Sequence, residues 1–510
     1  MKIQRMFATA TVAAAIVGLA SCSKESNTVS KPEFSAGVSI TTDTLPSTAK
    51  GTMLKGQTYF FNKPVTVNAG DTLVMQSGVK LLATDPSAIL VINGVFISLG
   101  TKENPNLITT KDAYNNPTTY KQTTYTDPNT DYGLTTDNTH RWGGIQCGTT
   151  ATMFNVKFTH IDFAGGTVLN TSPVVTGFGY KSGAVLFATM FQNKDGLYIL
   201  EDSWIYGTTS DVARINAGTV HFMRNTVEKL GYNDGDAFNI KTSVKGNMAY
   251  NLFIGTAKGG TKASAKSLPK GDGETHAVIY MYNNTYINGG YRSLDPDRGA
   301  NVDIEEGASG YAYNNIMVNC RTGMRFIENP VLDTTDTQYG YSLYYADAYS
   351  ADALGGIAGQ FLPSGHYVNY KYEATNIPAA SAYPSGTFAN QKYWVAVGGT
   401  PQGTAGGTWA NGYDGTAFIG KNNPMFVNYP LPAPVGSSTY GPSLGTMTWQ
   451  GNYDFHLQSS SPAKGTGYTG FTHYATAIDN ITVADLQATF TEPGKDMGAF
   501  QTDGTGNQHN

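Results

Sequence analysis

The chain reads as an all-β solenoid, on three observations. A short phrase keeps returning: a polar turn with Asn or Asp, a run of β-formers, then often Gly. It occurs at 202–207, 225–227, 251–255, 284–289 and 315–318, so the markers Asp202, Asn225, Asn251, Asn284 and Asn315 stand 23, 26, 33 and 31 residues apart. A drifting period of this size marks stacked units, each too short to bury its own apolar strand. Second, charged residues are only 14% of the chain while Gly (59) and Tyr (32) are abundant, and amphipathic helical stretches are nearly absent. Third, short β runs bounded by Gly, Asn, Asp and Pro dominate throughout.

The N-terminus has the parts of an export signal. Lys2 and Arg5 precede an apolar, small-residue stretch at 6–20, which leads to Leu19-Ala20-Ser21-Cys22. That apolar run is shorter than the about 20 residues a spanning helix needs, and no later run reaches that length. Leu-Ala-Ser-Cys resembles the lipobox of bacterial lipoproteins, which implies a lipid on Cys22, removal of 1–21 and an outer-membrane, surface-exposed location. The following Ser23-Lys24-Glu25 resembles the sorting signal of Bacteroidetes-type surface lipoproteins. Residues 22–50, rich in Ser, Thr, Lys and Pro, are expected to be a flexible tether. Loss of Lys2 and Arg5 takes the net charge from −5 to −7, and no basic tract points to nucleic acid. Cys147 and Cys320 lie in no CxxC or Cys/His setting, and strands stack about 4.8 Å apart, so rungs this distant leave two separate buried thiols.

A β-helix is expected over 51–345. It opens with runs at 58–67, 72–82, 88–99 and 106–110, whose alternating apolar residues give each strand one inward face. Residues 111–140 lack that alternation and read as an excursion. Rungs resume at Arg141-Trp142-Gly143-Gly144-Ile145. A second irregular stretch, 346–420, carries Tyr383, Tyr393, Trp394, Trp409 and Tyr413, whose rings suit either packing or stacking on sugars. Apolar order returns in a closing module, 421–510. The recurrent Asn suits tight corners and columns of side-chain amides running from rung to rung.

Several motifs resemble the right-handed parallel β-helix, or pectate-lyase-like, superfamily. They are Gly100-Thr101-Lys102-Glu103-Asn104-Pro105, then Trp142-Gly143-Gly144-Ile145 with 158–166, and in the closing module Asn423-Pro424-Met425-Phe426-Val427, 454–458 and 496–500. The resemblance implies the fold over most of 55–500. It leaves the reaction open, because this fold hosts lyases, hydrolases, esterases and non-catalytic proteins. The Asp-Asp and Gly-His-Gly strings of polygalacturonases do not occur. Of the methylesterase stretch, only Asp162-Phe163 is shared.

One constellation offers chemistry. Asp234 and Asp236 follow Asn225; Arg292, Asp295, Asp297 and Arg298 follow Asn284; Arg321 and Arg325 follow Asn315. Similar offsets from the marker place them on one side of the solenoid. A supposed insertion at 255–275 adds Lys258 and Lys262 and ends near His276. Asp234, Asp236 and Asp295 suit a hard cation such as Ca²⁺. Arg292, Arg321, Arg325, Lys258 and Lys262 suit the carboxylates of an acidic polysaccharide. Asp234, Asp236, Asp295, Asp297, Arg298 and His276 are the candidate acids and bases. Two readings stand: a non-catalytic glycan-binding or adhesive protein, and a polysaccharide lyase or hydrolase.

Overall fold

The computed structural model describes residues 33–117, 140–169, 172–231, 234–265, 275–290, 300–318, 320, 322–326, 336–345, 394–395, 408–409, 423–429 and 453–508. Residues Phe34–Asn510 form one compact unit. Among the described residues, all strands but two short antiparallel pairs fall into three parallel sheets of 11, 10 and nine members, here sheets 1, 2 and 3. The chain visits them in that order, and nearly every strand pairs with those three before and three after it. That pattern is a parallel β-helix.

The long runs of the sequence bend. Residues 58–67 divide into Thr58–Phe61 in sheet 2 and Pro64–Val67 in sheet 3, and 88–99 into Ile89–Ile92 in sheet 3 and Val95–Leu99 in sheet 1. Asn93-Gly94 turns the second corner. A Cβ on Gly94 would lie 2.2 Å from the Asp71 carbonyl oxygen, so only Gly fits there. The tether is also shorter than expected. Ser39–Ile40 pairs with Thr52–Met53, and Leu45 and Ala49 are buried. These side chains join the apolar interior at the solenoid's first coil, which would otherwise face water.

Inside, each coil adds one ring to an aromatic column: Phe96, Phe154, Tyr198, Phe222, Phe238, Phe253 and Tyr286, with neighbouring centroids 4.0–5.8 Å apart. The buried hydroxyls of Tyr198 and Tyr286 meet Thr189 and Thr261 at 2.7 and 2.9 Å, so neither is left without a partner. Trp142 sits edge-on to Phe61 and donates its indole N–H to the Asp162 carbonyl at 2.8 Å. Cys147 and Cys320 are free, separate and buried, as expected. Burial pushes the Cys320 thiol up to about 12, so neither is poised to react.

The corner between sheets 1 and 2 carries the Asn column. Asn225, Asn251 and Asn284 each donate a side-chain N–H to the Oδ1 of the next Asn, through Asn315, at 3.0–3.1 Å. Each also donates its backbone N–H to that same oxygen at 3.0 Å. Ser203 and Ser342 cap the ends. These Asn are not the left-handed residues, contrary to the sequence argument. The residue before each one is: Arg224, Tyr250, Asn283 and Asn314, with φ of 52–60°. That residue takes the turn, and the ladder position then locks it by satisfying the buried amides.

The closing module is an outer strap. Phe426–Asn428 pairs antiparallel with Asp454–Leu457, and this hairpin packs on Ile287, Ile316 and Val318 of sheet 2. Residues 468–492 then run over the solvent side of sheet 1, and Met497, Ala499 and Phe500 return to the sheet 2 cluster. Wall asparagines present their amides as a strand would. Asn247 exchanges two bonds with Tyr474 at 2.8 and 2.9 Å, and Asn314 two with Tyr468 at 2.7 and 2.8 Å. Among the described residues, no helix is long and apolar enough to cross a membrane.

Candidate functional site

Sheet 3 gathers part of the predicted constellation. Arg214, Asn239, Lys262, Asp303 and Arg325 stand in register on successive coils. Asp236 opens the strand Asp236–Ile240 and is buried, while Asp234 is exposed and pairs with Lys258 at 2.8 Å. Lys262 is buried and pairs with Glu305 at 2.5 Å. Arg292, Asp295, Asp297, Arg298 and Arg321 lie outside the described residues, as do the side chain of Arg325, the Cys22 expected to carry the lipid and most of 346–420. His276 stands two residues before Val278–Tyr282 of sheet 1, so the chain places it on the approach to a different sheet.

The supposed Lys-bearing insertion is partly wall. Gly259–Ser264 is a sheet 3 strand, in register with both Asp236–Ile240 and Ala300–Glu305. Its sequence, Gly-Gly-Thr-Lys-Ala-Ser, lacks large apolar residues because Tyr286 fills the interior there. A Cβ on Gly260 would lie 2.2 Å from that ring.

Residues that the sequence did not single out complete the wall. Asp211 accepts the Asp236 backbone N–H at 2.8 Å, and Asn239 donates to Asp211 at 2.8 Å and to Asp236 at 3.3 Å. Burial first, then the charge of Asp236, push the Asp211 carboxyl above the usual range. Arg214 stands 3.6 Å from Asp211. Of the residues expected to hold Ca²⁺, Asp295 lies outside the described residues. No group of three or more His, Cys, Asp or Glu among the described residues converges as a ligand set. Asp234 is committed to Lys258, and Asp236 faces Asp211 across Asn239.

A second site lies at the corner of sheets 1 and 2, between the wall and the strap. Two adjoining hollows of about 830 and 420 Å³ share Phe158, Asp202, Arg224 and Gly506. Asp202 and Arg224 are left-handed corner residues on neighbouring coils, which aims both side chains outward. They form a two-pronged pair, with Nε and Nη2 each 2.8 Å from a carboxylate oxygen. Beside them His160 and Trp204, in register on sheet 2, lie 5.1 Å apart and half-buried. Trp204 donates its indole N–H to Glu228 at 2.8 Å, which fixes the ring.

Beneath the strap the charges are sealed. Glu201 meets Lys157 at 2.9 Å, His221 at 3.1 Å and Arg224 at 3.5 Å, and it accepts the Thr489 backbone N–H at 2.9 Å. Burial alone would raise this carboxyl, but the bond to His221 and the charges of His221, Lys157 and Arg224 hold it down at about 2. Phe490 of the strap stands edge-on to His221 at 4.6 Å and stacks on His473 at 4.2 Å. One signal for this corner was in the sequence: Asp202 and Arg224 immediately precede the ladder positions Ser203 and Asn225. No protein-family model, curated protein or solved structure matches the chain.

Proposed function

We propose that the protein is a surface lipoprotein, anchored through Cys22 to the outer membrane, that engages extracellular polysaccharide as a non-catalytic binding or adhesive β-helix. The observation that carries this reading is the corner hollow. It sets the ring faces of His160 and Trp204 beside the fixed Asp202–Arg224 pair. A sugar ring offers an apolar face edged with hydroxyls, and a half-buried aromatic ring next to prearranged polar groups matches it. Glu201 and Asp202 are held by the Arg224 cation, which suits hydrogen-bond acceptance rather than proton delivery.

The test is retention of the soluble mature chain, without Cys22, in gels containing a panel of neutral and acidic polysaccharides. Trp204→Ala is expected to weaken retention at least tenfold, which corresponds to roughly 1.4 kcal/mol. Unchanged retention by every retained glycan would overturn the assignment to this corner.

The Asp211–Asp236 pair favours a second reading, a polysaccharide lyase or glycoside hydrolase on the sheet 3 wall. One carboxyl pushed toward its protonated form beside another is the asymmetry that acid–base work on a glycosidic bond needs. Under this reading an acidic polymer yields new reducing ends or unsaturated product, and Asp211→Asn abolishes it. Absence of product from every polymer tested would sink it.

A further inference from the structure

Of the four described cations on the sheet 3 wall, three have a counter-ion. Lys258 meets Asp234, Lys262 meets Glu305, and Arg214 stands 3.6 Å from Asp211. The side-chain amine of Lys241 makes no hydrogen bond or ion pair among the described residues. It follows the strand Asp236–Ile240, and its backbone N–H donates to the Ile215 carbonyl at 2.9 Å. Strand alternation puts it on the same outward side as Asn239, whose register neighbours are Arg214 and Lys262. The register neighbours of Lys241 itself are Asn216 and Ser264, the latter donating to Glu306 at 2.5 Å, and the charges that act on its amine are those of Arg214, Lys262, Asp236 and Asp211. Its amine is lowered to about 8 by burial, then by the charges of Arg214 and Lys262, against the weaker opposing pull of Asp236 and Asp211. The neighbouring Asn239 Oδ1 is buried with no hydrogen-bond partner among the described residues.

A half-buried ammonium between two other cations, without an anion of its own, is a costly arrangement for a structural wall. We propose that Arg214, Lys241 and Lys262 form a receiving site for one oxyanion group of a ligand, with Lys241 as its counter-ion and Asn239 Oδ1 as acceptor for an adjoining hydroxyl. Carboxylate and sulfate ester share the needed chemistry, a compact anion with several acceptor oxygens. The site is on a different sheet from the Trp204 corner and does not depend on that corner's binding sugar.

The experiment labels amines of the soluble mature chain with acetic anhydride across pH 6–10 and reads each lysine by peptide mass spectrometry. Glucuronate, glucose 6-sulfate, inorganic sulfate and glucose serve as probes. Lys241 should label with a midpoint near pH 8, and the exposed Lys194 serves as the labelling control. An anion present at about ten times its Kd should slow labelling of Lys241 by about tenfold and leave Lys194 unchanged. The midpoint should also rise, because a bound anion favours the charged amine. Protection by glucuronate alone assigns a carboxylate, by glucose 6-sulfate alone a sulfate ester, and by inorganic sulfate as well a site that reads charge without the sugar. Each of these supports the proposal. Equal labelling of Lys241 with every anion and with glucose overturns it. A second readout is the rise in melting temperature caused by the protecting anion relative to glucose. Lys241→Met should abolish that rise and Lys241→Arg should keep it; a rise that persists in Lys241→Met also overturns the proposal. Trp204→Ala should leave both readouts intact, which separates failure here from failure of the corner reading.

Discussion

Sheet 1 and sheet 3 both carry buried charge on their outer sides, and they differ at one cation, since Arg214, Lys258 and Lys262 of sheet 3 have counter-ions and Lys241 does not. On sheet 1 the strap supplies the missing partners: the Gln487 carbonyl for Lys157, the Thr489 carbonyl and Thr491 hydroxyl for Arg224, and the Thr489 amide for Glu201. On sheet 3, Lys241 and the Asn239 oxygen have no partner among the described residues, and Asp211 is driven toward its neutral form. Charge that the chain itself satisfies holds the fold together. Charge left unsatisfied costs stability and is worth keeping for a ligand.

The comparison breaks most visibly at Glu201. Glu201→Ala leaves Lys157, Arg224 and the Thr489 amide without their shared acceptor. It should cost roughly 3–5 kcal/mol, read from urea denaturation. A loss as small as that of an exposed substitution would mean that the strap is not docked on these charges.

The ladder tests the same contrast with neutral groups. Asn251→Ala removes the acceptor for two N–H groups of Asn225 and the donor to the Phe222 carbonyl. At about 1–3 kcal/mol for each buried group left unpaired, a net loss of about 2–4 kcal/mol is expected in the same assay.

pH sharpens the comparison within the strap. His473 offers one ring nitrogen to Glu492 at 2.5 Å and the other to Asp479 at 2.6 Å, so both must carry protons. Burial works against the charged ring, but the two carboxylates outweigh it and raise its pKa. A raised folded-state value means that stability is fully present below the unfolded value, about 6.5, and is lost as pH rises through the folded one. Glu201 behaves in the opposite way. Its contribution is present above 4.5 and is lost as pH falls toward about 2. Protection factors of the strap amides, that is, exchange corrected for its intrinsic pH dependence, should therefore fall at both extremes. His473→Gln should remove the alkaline limb and leave the part of the acid limb that Glu201 carries, while weakening the part that Asp479 carries through its bond to His473.

The smallest effect is expected at Lys241. Since its charge has no partner to lose, Lys241→Met should change stability by less than about 0.5 kcal/mol or increase it. A loss comparable to that of Glu201→Ala would show that Lys241 belongs to the sealed class after all.

The candidate wall was partly legible from the markers, and its failures have a cause. Asn239 stands 14 residues past Asn225 and Lys262 only 11 past Asn251, yet the two are in register. The corner from sheet 2 to sheet 3 varies in length from coil to coil, so equal offsets do not stack side chains there. That is why equal offsets align Lys262 with Asp236, while the strands align it with Asn239. The tight corner from sheet 1 to sheet 2 has nearly constant geometry, and offsets counted there would have paired Asp202 with Arg224.

By itself, the sequence determined the coil: alternating apolar residues, Gly and Asn at the turns, and a marker in each rung leave little choice but stacked strands, because each depends on short-range geometry. Tertiary structure alone decided which charges are answered and which are not. The partners of Lys157, Glu201 and Arg224 arrive from more than 260 residues away, at Gln487–Thr491, and no local pattern encodes that meeting. It follows from where the strap is carried after the solenoid has been built.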